Sequence, residues 1–301
     1  MTGSPSNRLV TPPKPGLDFA AVRIGSGHLI VTADPITGVS DRIGEYAVQV
    51  SANDVATSGN RPQFAETVVL LAEGSSVEDL RVIAKGIGKA AKSLGIAIIG
   101  GHTEVTPGLR KPIVVVTAFC FADDYVTSGG AREGDSILMT KSAGLEGTAI
   151  LSQVTQRTPR FPISRLSIVD EAVVAKKTGS VHGMHDCTEG GVLGAVFEMS
   201  VASKLGFRVF EEKVPVSRET KRICDTFEID PLRLVGSGSL LIAVPQEAEE
   251  RVCSDLRKIS KVTKIGEFSR RGRVMIRRNG EETSMTEAPE DELWSALGHK
   301  T

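Results

Sequence analysis

Apolar and polar positions along the 301-residue chain alternate with two periods, one of strands and one of helices. Residues 20–24 (AAVRI) and 29–33 (LIVTA) are short apolar runs separated by residues 25–28, a pattern that predicts a hairpin. Ser40 can cap a helix that runs to about Ser58 and is closed by Gly59. Residues 64–72 predict a buried strand. Ser76 and Asp79 then stand at capping-box spacing. Leu80, Ile83, Ala84, Ile87, Ala91 and Leu94 recur with helical period, and Gly95 supplies the stop. Residues 96–99 and 113–121 predict two further strands.

The glycine-rich polar stretch 127–135 (TSGGAREGD) breaks this rhythm and predicts a boundary between two domains, 1–133 and 134–301. Beyond it the pattern predicts helices at 147–157, 164–178, 190–204, 217–227 and 246–259. Strands are predicted at 136–140, 182–185, 207–211, 239–244, 262–267 and 273–278. Both halves mix helices with strands, so the expected class is α/β or α+β.

Composition narrows the function. The length suits two domains of ~100–200 residues each, with a core that needs no disulfide or metal staple. Thirty-six basic and 37 acidic residues give a net charge of −1, and therefore no global attraction to nucleic acid or to an anionic membrane. The longest apolar run, 112–122, is about half of the ~20 residues a membrane span requires. The first fifteen residues lack a signal-peptide core, and the cysteines (Cys120, Cys187, Cys224 and Cys253) are widely spaced, so a cytoplasmic protein without disulfides is expected. Glycine is in surplus: 31 are present where average usage of ~7% would give about 21.

Several residues could carry chemistry. Asp18, Asp34, Asp54 and Asp186 stand at or near predicted element ends, where convergent carboxylates can hold a hard cation. In the segment His185-Asp186-Cys187-Thr188-Glu189-Gly190-Gly191, Thr188 is the expected N-cap of a helix whose first amides would suit an anion. Gly100-Gly101-His102-Thr103-Glu104 follows a predicted strand and reads as a loop whose backbone can approach a ligand. It is neither a Walker loop nor a dinucleotide fingerprint. His182, His185 and Cys187 offer a softer metal set, but strand alternation puts the two histidines on opposite faces. Residues 257–278 hold nine Lys or Arg and one acid, and 281–292 hold six acids and no base. The basic run reads as the solvated face of a terminal hairpin, because aromatic residues do not interleave with it as in nucleic-acid platforms, Phe268 being the one aromatic in the run. Cys187 reads as a small buried filler.

Six segments, taken in order, resemble the superfamily of aminoimidazole ribonucleotide (AIR) synthase, the hydrogenase-maturation carbamoyl dehydratase, selenophosphate synthetase and thiamine-monophosphate kinase. They are Gly16-Leu17-Asp18-Phe19-Ala20-Ala21-Val22, Thr32-Ala33-Asp34-Pro35, Asn53-Asp54-Val55, Gly100-Gly101-His102-Thr103-Glu104, Gly144-Leu145-Glu146-Gly147-Thr148-Ala149-Ile150-Leu151 and His185-Asp186-Cys187-Thr188-Glu189-Gly190-Gly191. The resemblance implies a two-domain fold, an N-terminal domain that forms a dimeric β-barrel, and a C-terminal α/β domain. It implies ATP and Mg2+ as cofactors. Asp18, Asp34, Asp54 and Asp186 would hold the metal, and Asn53, Gly100, Gly101, Thr103, Thr188, Gly190 and Gly191 would meet phosphates. Phosphoryl transfer of this kind needs charge offset and positioning more than covalent chemistry.

The second half is closest to the hydrogenase-maturation branch through Gly147-Thr148-Ala149-Ile150-Leu151, the 211–215 segment and Asp230-Pro231-Leu232. That branch carries its carbamoyl group on a C-terminal cysteine. This sequence ends Gly298-His299-Lys300-Thr301, so the same chemistry is not expected, and His102 stands where relatives carry a carboxylate. The expectation is a magnesium-dependent ATP-binding enzyme that phosphorylates an oxygen of a small acceptor. Lys14, His102 and His185 are the candidate catalytic residues. The expected partners are a second copy in a homodimer and a protein of a maturation complex. The alternative is a non-catalytic nucleotide-binding member of such a complex.

Overall fold

A computed structural model describes residues 3–4, 6–37, 42–155 and 162–298. The predicted cap Ser40 lies outside these residues. The chain divides into two compact units. The first comprises residues 1–12, 19–56 and 60–124, and the second comprises 13–18, 57–59 and 125–301.

The first unit is a five-stranded sheet in the order β1-β2-β5-β3-β4 with two helices. Strands β1 (Ala20–Ile24) and β2 (Gly27–Ile36) form the expected hairpin, turning at Gly25. Helix α1 (Ile43–Ala56) is buried along nearly its whole length and packs on β5 (Ile113–Ala122). Strand β3 (Phe64–Leu71) leads through α2 (Val77–Leu94) to β4 (Ala97–Val105), which pairs parallel with β3. The capping box at the start of α2 is complete: Ser76 Oγ accepts from Asp79 N–H at 3.2 Å, and Asp79 Oδ2 accepts from Ser76 N–H at 2.7 Å. Gly95 ends the helix in the left-handed conformation.

Here the structure corrects one expectation. Gly100 to Glu104 is not a loop after a short strand, because β4 runs on to Val105 and is exposed throughout. Gly101 has φ +150°, and a Cβ there would lie 1.8 Å from the Thr67 carbonyl oxygen. Its glycine therefore serves the close approach of β4 to β3. A register shift opposite Ala65 and Glu66 leaves Ile99 as the extra residue of a bulge.

The second unit is a seven-stranded sheet, ordered β12-β11-β8-β10-β6-β9-β7. Its strands are β6 (Ser136–Thr140), β7 (Gly183–Asp186), β8 (Gly206–Phe210), β9 (Leu240–Val244), β10 (Val262–Ser269), β11 (Arg273–Ile276) and β12 (Glu282–Ser284). Its helices are α3 (Leu145–Thr155), α4 (Val169–Lys177), α5 (Gly191–Ser203), α6 (Arg218–Phe227), α7 (Glu249–Arg257) and α8 (Glu292–Ala296). The fully buried β6 and β9 and the apolar face of α5 anchor one core that includes Met139, Val196, Phe207, Leu241 and Phe268. The basic run does not form the expected hairpin. Strand β8 lies between β10 and β11, pairing antiparallel with the first and parallel with the second. Neither β12 nor α8 follows from the sequence pattern, being only three and five residues long. Among the described residues no helix is long and apolar enough to cross a membrane.

Candidate functional site

The four expected metal carboxylates fall in two groups, one in each unit. In the first unit, Asp34 lies within β2, paired with Val116, and Asp54 lies on the last turn of α1. Thr32 Oγ1 links them, at 3.1 Å from Asp54 Oδ2 and 3.4 Å from Asp34 Oδ2. Alternation along β2 places Thr32 and Asp34 on one face, towards the helix that carries Asp54. Asn53, its chain neighbour, is fully buried, and its side-chain oxygen accepts from Gln49 Nε2 at 3.4 Å.

In the second unit, Asp18 and the last two residues of β7 come together. Asp18, His185 and Asp186 each offer one ligand atom within 4.8 Å of the others. His185 Nδ1 is 2.9 Å from Asp18 Oδ1 and 3.8 Å from Asp186 Oδ1, and its Nε2 is 3.1 Å from Glu198 Oε2 on α5. His185 is 3% exposed and Asp186 1%. Burial alone would push the His185 pKa down. The Asp18 charge and the contacts with Asp18, Asp186 and Glu198 outweigh it and hold the ring protonated well above its ordinary range. Asp18 Oδ2 is buried without a hydrogen-bond partner among the described residues. A buried carboxylate oxygen left without a donor fits a cation. Asp18 and Asp186 match the oxygen donors magnesium prefers, and His185 in its neutral form could add a nitrogen.

Cys187 follows directly and is fully buried. Burial and the neighbouring Asp186 charge push its thiol far above the ordinary range, which fits a filler and not a nucleophile. The structure does not assemble a His182–His185–Cys187 site. His182 turns the other way and places Nδ1 2.9 Å from Asp135 Oδ2.

The expected phosphate-binding start of α5 is built differently from the sequence reading. Thr188 is not its N-cap. Gly190, in the left-handed conformation, holds that position without a side-chain cap. The first amides already have acceptors: Gly190 N–H donates to Asp291 Oδ2 at 2.7 Å, Gly191 N–H to Thr188 O at 3.1 Å and Leu193 N–H to Leu232 O at 3.2 Å. Gly191 has φ +63°, and a Cβ on it would meet the Leu232 and Leu234 carbonyl oxygens at 2.6 and 2.7 Å, so packing demands this glycine too.

Of the candidate catalytic residues, only His185 belongs to a buried polar cluster. Lys14 Nζ donates to Ala202 O at 2.6 Å, near the C-terminal end of α5, where a cation suits the helix dipole. His102 is exposed on β4 with Nε2 3.1 Å from Glu104 Oε2, and Thr103 beside it is also exposed.

Sequence reasoning missed two members of these groups, Glu198 and Asp291. Each is reached only by folding: Glu198 lies about two turns along α5, and Asp291 lies 101 residues from Gly190. It also passed over Glu146, which is buried on the first turn of α3. Burial raises its pKa to about 7, helped by the Asp291 and Asp186 charges and opposed by Ser237.

Comparison with known proteins extends this picture. The N-terminal domain of AIR synthase related protein matches residues 16–122, and the C-terminal domain of AIR synthase related protein matches 132–278. A hydrogenase expression/formation protein of Methanocaldococcus jannaschii is 30% identical over 257 residues, covering 80% of this chain and 75% of the relative. The carbamoyl dehydratase HypE of Escherichia coli is 29% identical over 233 residues, covering 74% of this chain and 68% of the relative. A crystal structure of the hydrogenase maturation protein HypE in complex with ATP superposes with a TM-score of 0.77 at 26% identity, covering 89% of each chain. The two-unit fold, the ordered motifs and these likenesses agree: the chain belongs to the AIR synthase-related family, in its hydrogenase-maturation branch.

Proposed function

We propose that this protein binds ATP with magnesium and transfers a phosphoryl group to an oxygen of a small acceptor. The observation that carries the reading is the buried Asp18–His185–Asp186 cluster, whose ligand atoms lie within 4.8 Å in a chain related to an ATP-binding HypE. Asp18 and Asp186 in the second unit, and Asp34 and Asp54 in the first, are the carboxylates that hold magnesium. Bound metal supplies charge offset for the transferring phosphoryl group. His185, held protonated by its carboxylate neighbours, is the cation that balances Asp18 and Asp186 before metal arrives. A phosphate at the start of α5 has to displace Asp291 from Gly190 N–H. The exposed edge of β4 is the surface by which two copies pair, and a maturation protein is the expected heterologous partner.

Isothermal titration with ATP and magnesium tests the reading. Binding is expected to require the metal and to weaken about tenfold or more in Asp34→Asn and in Asp186→Asn, the loss of one charged contact. Absence of ATP binding, or binding indifferent to both substitutions, overturns it. Binding without turnover on any carbamoyl or phosphate-accepting substrate favours the non-catalytic alternative. Light scattering that shows only a 32.0 kDa species removes the β4 pairing.

A further inference from the structure

The basic run of residues 257–278 divides by its partners. Arg257, Lys258, Lys264, Arg277 and Arg278 each lie within 4.0 Å of a carboxylate, from Glu250, Asp255, Glu249 and Glu211. Like Lys261, which lies outside the pocket they line, Arg270, Arg271 and Arg273 have no carboxylate partner among the described residues. All three line one open pocket of about 580 Å³, together with Lys204, Val201, Leu205 and Met285. No acidic residue lines it.

The pocket is built on rigid parts. Arg270, Arg271 and Gly272 form the turn that carries the chain from β10 past the end of β8 to β11. Phe207 N–H donates to Gly272 O at 2.8 Å and Ser269 Oγ to Arg271 O at 3.1 Å, which fixes the turn. Arg273 is oriented by two contacts: its Nε donates to Ser200 Oγ at 2.7 Å, and its guanidinium stacks 4.8 Å from the Phe197 ring centroid. Its Nη groups keep their donors for something else. Lys204 closes α5 in the left-handed conformation, and its ammonium has no partner among the described residues. Four cations gathered without counter-charge repel one another, a cost that a bound anion removes.

We propose that this pocket is a binding site for a small organic phosphate, separate from the carboxylate cluster of Asp18 and Asp186. Guanidinium forks match phosphate oxygens with paired charge-assisted hydrogen bonds. Val201, Leu205 and Met285 provide the apolar wall for the ligand's organic part. The volume falls in the ~300–1,000 Å³ range of small-molecule sites, which favours a compact ligand over an extended acidic peptide.

Phenylglyoxal modification of the full chain, read arginine by arginine by peptide mass spectrometry, tests this with phenyl phosphate as the probe. Phenyl phosphate is expected to slow modification of Arg270, Arg271 and Arg273 about fivefold or more, the protection a charge-assisted contact gives, while Arg23 and Arg81 react unchanged. Leu205→Asp is expected to abolish that protection, with circular dichroism confirming its fold. Arg271→Ala, at an exposed turn, is expected to cut protection of Arg273 without touching the fold. Uniform modification of all arginines, or protection by oligoglutamate but not by phenyl phosphate, overturns the proposal. Protection that survives in Asp186→Asn keeps this site distinct from the proposed ATP site.

Discussion

Strands β4 and β7 invite comparison because they resemble each other in sequence and lie at the ends of their sheets. Each carries a histidine within two residues of an acidic residue, and a Gly-Gly pair on or just beyond the strand. On β4 every residue is exposed, and His102 meets Glu104 in solvent. On β7 every residue is buried, and His185 meets Asp18 and Asp186 at side-chain exposures of 4%, 5% and 1%. The difference is one of dielectric. In water a histidine–carboxylate pair is screened and nearly neutral in its effect on stability. Out of water the same pair is strongly coupled, and removing one partner strands the other.

The largest effect expected from this contrast is therefore at His185. His185→Leu leaves Asp18 and Asp186 without their cation and is expected to cost about 3–5 kcal/mol, read by urea unfolding in the absence of metal. The stabilisation comes from a raised folded-state pKa. It is fully present below the unfolded value of ~6.5 and is lost only as pH climbs through the raised value. The gap between wild type and variant should thus persist at neutral pH and close only in alkali. Added magnesium should recover part of the loss. A variant as stable as the wild type at pH 7 would break the comparison.

The glycine pairs sharpen it next. Gly101→Ala places a Cβ 1.8 Å from the Thr67 carbonyl oxygen, whereas Gly100→Ala meets Glu66 Oε1 at an ordinary 3.4 Å. Gly101→Ala is expected to cost about 2–4 kcal/mol and Gly100→Ala less than about 1 kcal/mol, both by chemical denaturation. Similar costs for the two would mean that β4 does not hold its register against β3.

These residues also mark how far the sequence could be read. The hairpin and the capping box at Ser76 and Asp79 rest on local rules and are legible within a few residues, whereas the six ordered motifs are legible through their resemblance to a family. The Gly-Gly pairs were legible as special, but the packing that Gly101 and Gly191 serve was not. A glycine required by a neighbouring strand looks, in one dimension, like a glycine required by a ligand. The hairpin expected from the basic run failed because β8, 50 or more residues upstream, inserts between its strands. Strand pairing is a long-range outcome that alternation alone does not specify. Asp291 and Glu198 escaped for the same reason.

Glu146 supplies a third, smaller test inside the buried group. Its pKa of about 7 means that it folds protonated and must ionise against burial as pH rises. An acid with a raised folded pKa stabilises the fold least above that pKa. Stability should therefore fall between the unfolded value near 4.5 and about 7, and then level off. Glu146→Gln keeps a polar group facing Ser237 and cannot ionise. Its stability relative to the wild type is expected to rise by about 2–3 kcal/mol between pH 5 and pH 8. Urea unfolding across pH 5–8 measures this, and parallel curves for the two proteins would remove Glu146 from the buried acid cluster.

The smallest effect is the necessary counterpart of the first. His102→Ala removes an imidazole from an exposed strand, and the carboxylate left behind, Glu104, is fully hydrated and keeps its contact with Thr106 at 2.9 Å. Solvent already satisfies what the histidine supplied, so the unfolding midpoint of the monomeric protein should not move beyond measurement error. The Glu104 pKa is lowered by the His102 and Thr106 contacts, and in the variant it should drift back towards its ordinary value, read by NMR titration. A lost midpoint would instead mean that β4 is covered in solution. Comparing the shift at low and high protein concentration then separates the two cases: an exposed edge gives none at either, and an edge buried against a second copy gives one only where the copies are paired.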